Sequence, residues 1–157
     1  MNLFGKKKIK ILAPVDGRAV PIAETPDKVF SEKVLGDGVT MLPENGEIVA
    51  PVAGTVATIA NTRHAVCIEG DEGAEVLIHL GIDTVKLGGK GFTCLVKAGE
   101  HVRAGQKLMD MDLDFIRGRG YNTASPCILT NPNQVKKLTF RTGDAEAGKT
   151  AVMEYEK

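Results

Sequence analysis

Hydrophobic positions along this chain come in short bursts: segments rich in valine and isoleucine alternate with glycine- and proline-bearing breaks, and helical periodicity is nearly absent. The segments that read as strands are KIKILAPV (8–15), RAVPI (18–22), GVTMLPE (38–44), GEIVAPV (46–52), GTVATIA (54–60), AVCIEG (65–70), AEVLIHL (74–80), FTCLVK (92–97), QKLMDMD (106–112), PCILTN (126–131), VKKLTF (135–140) and TAVMEYE (150–156). So many short strands predict an all-β fold, an antiparallel β-sandwich or barrel-sandwich, because closure or stacking hides the edges that an open sheet would expose. Only PDKVFSEKVLG (26–36) and DLDFIRGRG (112–120) read as helical turns. An internal echo, APVDGRAVPI from Ala13 and APVAGTVATI from Ala50, predicts two quasi-symmetric hairpins, each with a proline at its edge and a glycine at its bend.

Length and charge narrow the setting. A chain of 157 residues can bury roughly 70% of its unfolded surface in one core without disulfides or a metal. The expected organisation is a short tail over 1–8 and a single domain over 9–157. Lys plus Arg and Asp plus Glu balance at 20 each, so no large net field draws the chain to nucleic acid. No apolar run approaches the ~18 residues of a transmembrane segment, and none resembles a secretory leader. LFGKKK (3–8) suits at most a weak bilayer contact, and its closeness to the first strand reads as the start of a free-standing chain. Cys67, Cys94 and Cys127 are odd in number and form no CxxC pair, which predicts buried thiols in a reducing compartment.

Candidate chemistry centres on His79, which interrupts an otherwise apolar strand. Along AEVLIHLG, Val76, Ile78 and Leu80 share one face, and Leu77 and His79 share the other. A half-buried histidine satisfied by a backbone carbonyl is the plain structural reading. His64 adds a second possibility: a hairpin turning near Asp71 to Gly73 brings it opposite His79 or the residue beside it. Desolvation keeps such rings neutral, so that one is a nucleophile towards phosphorus while the other donates to the phosphoryl oxygens. Metal binding competes, but no third ligand at suitable spacing is evident, so no metal or other cofactor is expected. His101, within VKAGEHVRAGQKLMDMD (96–112), lies in a polar turn and is expected to be solvated. That glycine-flanked turn resembles biotinyl and lipoyl carrier domains, yet neither M-K-M nor D-K-A occurs. A related metallopeptidase would need an HxH pair, which is also absent.

Three strings in order, GDG (36–38), HAVCIE (64–69) and VLIHLGIDTV (76–85), closely resemble the enzyme IIA domain of the glucose family in the bacterial phosphoenolpyruvate-dependent sugar phosphotransferase system. The likeness runs from about Ile9 to the last strand. It implies an antiparallel β-sandwich with a shallow depression holding two histidines, of which the one matching His79 carries the phosphoryl group. His64 then contacts that group and Thr62 orients His64. The phosphocarrier protein HPr is the implied donor, and a cysteine of the IIB domain of a sugar permease the acceptor. A cytoplasmic location follows, transiently at the inner membrane face through the permease.

A carrier of this kind must keep water from its phosphohistidine, which predicts an apolar rim made of Val29, Phe30, Val34, Leu35, Leu77 and Val85. Core packing competes with the rim role for Val34 and Leu35 more than for Phe30. Asp27 and Asp83 form the expected charged border towards basic partners, although Asp83 is equally suited to capping the turn after LGI. The sequence departs from the family at Ala60 and Leu77, where phenylalanine is frequent, and at Lys86, where an acidic residue is frequent. These departures bear on partner choice. Enteric relatives also bind regulatory targets, including sugar permeases and adenylate cyclase, and the missing aromatics argue against that role here. A regulatory module that keeps the fold without transfer is the remaining alternative.

Overall fold

The computed structural model describes residues 7–157. Most of the segment LFGKKK and of the expected tail therefore lies outside the described residues, and the first strand starts at Lys8, inside that expected tail. In chain order the strands are β1 (Lys8–Leu12), β2 (Gly17–Pro21), β3 (Asp37–Pro43), β4 (Glu47–Val49), β5 (Gly54–Ile59), β6 (Ala65–Gly70), β7 (Glu75–His79) and β8 (Phe92–Cys94). After them come β9 (His101–Val102), β10 (Lys107–Met111), β11 (Ser125–Leu129), β12 (Lys136–Phe140), β13 (Gly143–Ala145) and β14 (Ala151–Glu156). Both expected helical turns are present as short helices, α1 (Lys28–Ser31) and α2 (Leu113–Gly118).

The strands assemble into one eight-stranded sheet, ordered β13-β2-β3-β11-β7-β6-β5-β9, and two three-stranded sheets, β1-β14-β12 and β4-β10-β8. The paired strands run antiparallel. Alternation drives the layering, because every second side chain points to one face. On β6 and β7, Val66, Ile68, Val76 and Ile78 enter the main core beside Ile11, Ile48, Leu108, Met109 and Leu129. The opposite face of the same strands carries Cys67, Leu77 and His79, all only half-buried.

The echoing Ala-Pro-Val turns meet each other. Leu12 N–H donates to Pro51 O at 2.9 Å, and Val49 N–H donates to Pro14 O at 2.8 Å. Each turn then enters a strand at a glycine, and at Gly17 and Gly54 an added Cβ would lie only 2.1 and 2.2 Å from a backbone carbonyl oxygen of the neighbouring strand. The sequence reading did not include β9 and β13, whose two and three residues are too short and too poor in β-branched residues to show a pattern.

Two side-chain expectations change. Cys127 is buried, and burial pushes its thiol up to about 12, but Cys67 and Cys94 are only half-buried. Cys67 is half-buried because it occupies the face of β6 that points away from the core. His101 is exposed as expected, yet its Nε2 lies 2.8 Å from Asp71 Oδ2 as one half of a surface pair.

Candidate functional site

Strands β6 and β7 form a regular hairpin, with Ala65 opposite His79 and Glu69 opposite Glu75. Its tip closes through Gly70 N–H to Ala74 O at 2.7 Å. His64 therefore sits opposite Leu80, the neighbour of His79, and Leu80 N–H donates to His64 O at 2.6 Å. A tight turn precedes it: Arg63 adopts φ 57°, and Ala60 accepts from Arg63 N–H while donating to Ala65 O. The two imidazole centroids are 5.0 Å apart, nearly perpendicular at 78°.

Hydrogen bonds assign the ring nitrogens. His79 Nδ1 lies 2.8 Å from Gly81 O, and a carbonyl only accepts, so Nδ1 carries the proton and Nε2 keeps its lone pair. His64 Nδ1 lies 2.5 Å from Thr62 Oγ1. A hydroxyl can act in either sense; when it donates, the His64 proton resides on Nε2.

Burial lowers the pKa of His79. The Gly81 carbonyl and the carboxylates of Asp27 and Asp83 oppose that shift without cancelling it. His64 is lowered too, first by burial and then by the neighbouring His79. Both rings are thus biased towards the neutral form, the form a nitrogen nucleophile needs.

Phe30 completes the floor. Its ring is 5.0 Å from the His79 ring at a tilt of 56°, and it is 4% exposed. It belongs to a small apolar cluster with Ile22 and Ile128, against which Leu77 packs, separate from the main core. Among the expected rim residues, the order of burial is the reverse of that weighed in sequence. Val34 and Leu35 are 67% and 45% exposed, which removes the core-packing reading for them, whereas Phe30 is packed. Val29 and Val85 are exposed at 42% and 50%. The reason is that α1 is a single turn: Phe30 points inward, and the chain leaves the helix before Val34 can follow it.

Capping also goes to the other aspartate. Asp27 accepts from Val29 N–H at 2.8 Å at the start of α1, while Asp83 makes no side-chain cap bond and adopts φ 60°. Asp83 is exposed and Asp27 half-buried. Sequence reading missed Gly81, Ile22 and Ile128. The glycine two residues after His79 was a usable signal, since its φ of 83° is costly for any residue with a Cβ. Among the described residues, no group of three or more His, Cys, Asp or Glu side chains is placed to hold a metal ion. No helix among them is long and apolar enough to cross a membrane.

Comparison with known proteins identifies the family of the chain. Residues 9–135 match the family described as phosphoenolpyruvate-dependent sugar phosphotransferase system, EIIA 1. A PTS system glucose-specific EIIA component of Oceanobacillus iheyensis is 38% identical over 149 residues, covering 94% of this chain and 90% of that protein. A glucose-specific EIICBA component of Staphylococcus saprophyticus is 49% identical over 124 residues, 79% of this chain but only 18% of that protein. The chain thus spans under a fifth of that longer relative. The solved glucose permease IIA from Mycoplasma capricolum superposes with a TM-score of 0.89 at 35% identity, covering 98% of this chain and 99% of that one. With the family matched over most of its length and the same sandwich found in a solved relative, the chain belongs to the EIIA 1 family of the phosphoenolpyruvate-dependent sugar phosphotransferase system.

Proposed function

We propose that this chain, a phosphoryl carrier by family, carries the phosphoryl group on Nε2 of His79, taking it from phospho-HPr and giving it to a cysteine of a sugar permease IIB domain. The observation that carries the proposal is the pairing of His79 Nδ1 with Gly81 O at 2.8 Å. It leaves the Nε2 lone pair free on a ring that burial keeps neutral.

In the first transfer the lone pair of His79 Nε2 forms the new N–P bond as the donor's N–P bond breaks, its electron pair returning to the donor imidazole. No proton leaves His79, because Nδ1 already holds the only ring proton. His64 serves as the donor to the phosphoryl oxygens, with the Thr62 hydroxyl donating to its Nδ1 so that Nε2–H faces outward. In the second transfer a cysteine thiolate forms an S–P bond, and the pair of the breaking bond returns to His79 Nε2. The protein positions, neutralises and excludes water; no cofactor takes part.

Phe30 and Leu77 form the dry floor of this site, and Val29, Val34, Leu35 and Val85 the exposed apolar rim that a partner covers. Asp27 and Asp83 supply the acidic border for a basic partner. The transfers place the protein in the cytoplasm, at the inner membrane face while the permease is engaged.

Intact mass after incubation with phosphoenolpyruvate, enzyme I and HPr tests the proposal on the wild type and on His79→Ala. One acid-labile phosphoryl adduct on the wild type and none on the variant is the expected result. An undiminished adduct on His79→Ala removes His79 from the mechanism, and no adduct on the wild type beside phosphorylated HPr favours a regulatory module.

A further inference from the structure

The hydrogen bond that fixes the His79 ring ends on a glycine, the residue least able to hold its own peptide groups in place. Both peptides around Gly81 are nevertheless held at both ends. In the Leu80–Gly81 peptide, Leu80 O accepts from Thr84 Oγ1 at 2.6 Å, and Gly81 N–H donates to Ser125 Oγ at 3.3 Å. In the Gly81–Ile82 peptide, Gly81 O accepts from His79 Nδ1 at 2.8 Å, and Ile82 N–H donates to Asn122 O at 2.9 Å.

Two hydroxyls thus clamp the first peptide from separate elements. Thr84 opens the 3-10 turn Thr84–Leu87, and Ser125 begins β11. Both side chains are wholly buried, and Ser125 is itself fixed by donating to Thr123 O at 2.9 Å. Neither is hydrogen-bonded to His79. The Thr84 methyl also closes the space beside Gly81, lying 2.5 Å from where a Cβ would be.

We propose that Thr84 and Ser125 are positioning residues that select which nitrogen of His79 accepts the phosphoryl group, by clamping the peptide that aims the Gly81 carbonyl. The inference rests on the reading of His79 as the phosphoryl acceptor. Without the clamps the Leu80–Gly81 peptide loses both of its partners, and the Gly81 carbonyl, then held only through Ile82 N–H to Asn122 O, shifts from the His79 ring so that Nδ1 loses the acceptor that keeps it protonated. The ring then relaxes towards the Nε2-protonated tautomer that free histidine prefers, and the lone pair moves to the nitrogen facing the protein. Second-sphere groups that fix an imidazole tautomer act in the same way at metal sites.

The test reads the tautomer and pKa of His79 by ring-nitrogen NMR in the unphosphorylated full chain, for the wild type, Thr84→Val, Thr84→Ser and Ser125→Ala. Nδ1–H is expected in the wild type and in Thr84→Ser. Thr84→Val and Ser125→Ala are expected to gain a resolvable Nε2–H population and a lower His79 pKa, because the Gly81 bond supports the protonated ring. Acceptance from phospho-HPr at saturating donor is expected to fall roughly tenfold in those two variants, with KM little changed and Thr84→Ser restored. Should Thr84→Val not fold, Ser125→Ala gives the same readout.

Wild-type tautomer and pKa in Thr84→Val or Ser125→Ala overturn the proposal, and so does an equal loss in Thr84→Ser, which would make the effect steric. The tautomer is read without any donor. A wild type that accepts no phosphoryl group therefore defeats the carrier reading separately, while the NMR result still decides the clamp.

Discussion

The ring of Phe30 lies 5.0 Å from the ring of His79, tilted by 56°, and is itself almost fully buried. One aromatic side chain therefore both closes the small cluster with Ile22 and Ile128 and removes water from one side of the histidine.

Replacing Phe30 with Ala separates those two roles. Truncating a buried phenylalanine costs about 3 kcal/mol or more, which chemical denaturation would measure. Water entering beside His79 relieves its desolvation, so its pKa should rise towards the ordinary value and the phosphorylated form should hydrolyse faster. NMR titration and the decay of the phosphorylated protein check both effects; unchanged values would leave Phe30 with a packing role alone.

Acidity should act on fold and function in the same direction. His79 and His64 are both held below the ordinary histidine value of 6.5. Below that value and above the folded pKa values, the unfolded chain binds more protons than the folded one, so stability rises with pH across this window. The contribution is complete above about 6.5 and is lost as pH falls through the window. Phosphoryl acceptance, which needs the neutral ring, should stay level through neutral pH and decline only at pH below the ordinary histidine value. Stability and single-turnover acceptance measured from pH 8 to 5 test this, and a decline beginning above 6.5 would contradict it.

The aspartates should differ from each other. Both raise the His79 pKa, so Asp27→Asn and Asp83→Asn should each lower it. Only Asp27 caps a helix, and losing such a cap costs about 1 kcal/mol. Asparagine caps about as well as aspartate, so Asp27→Asn should leave stability nearly unchanged and Asp27→Ala should show the cost fully; Asp83→Asn should also leave it nearly unchanged, since asparagine tolerates the φ of 60° there. Both changes should slow association with a basic partner at low salt and much less at high salt. Equal association rates across salt would remove the border role.

His64 and Thr62 should affect passage more than loading. His64→Gln keeps an amide donor but loses the aromatic pair, and should still accept the phosphoryl group while delivering it to a IIB domain poorly. Thr62→Val leaves His64 Nδ1 without its 2.5 Å partner and should produce a milder defect of the same kind. Single-turnover assays of loading and delivery distinguish the steps, and normal delivery by His64→Gln would sink the role.

Much of this was legible in the chain because strand periodicity and hairpin register are local. Counting back from a turn at Asp71 to Gly73 was enough to bring His64 beside His79, and alternation placed Leu77 and His79 together on the outer face. Burial in the segment around α1 was not legible. Val29, Phe30, Val34 and Leu35 are all apolar, and which one turns inward depends on a single helical turn meeting Ile22 just before it and Ile128 from a distant part of the chain. The clamp on Gly81 was hidden for a similar reason: Ser125 reaches it across 44 positions of sequence.

Strands β1 and β14 place Lys8 directly opposite Glu156, and Lys157 N–H donates to Lys7 O at 3.0 Å. The two ends of the described chain therefore leave side by side, separated by about 5 Å, the width of one strand pair. They do so from a three-stranded sheet that contains neither histidine. The sheet that gathers the two ends is thus a different one from the sheet whose β6–β7 hairpin brings His64 beside His79.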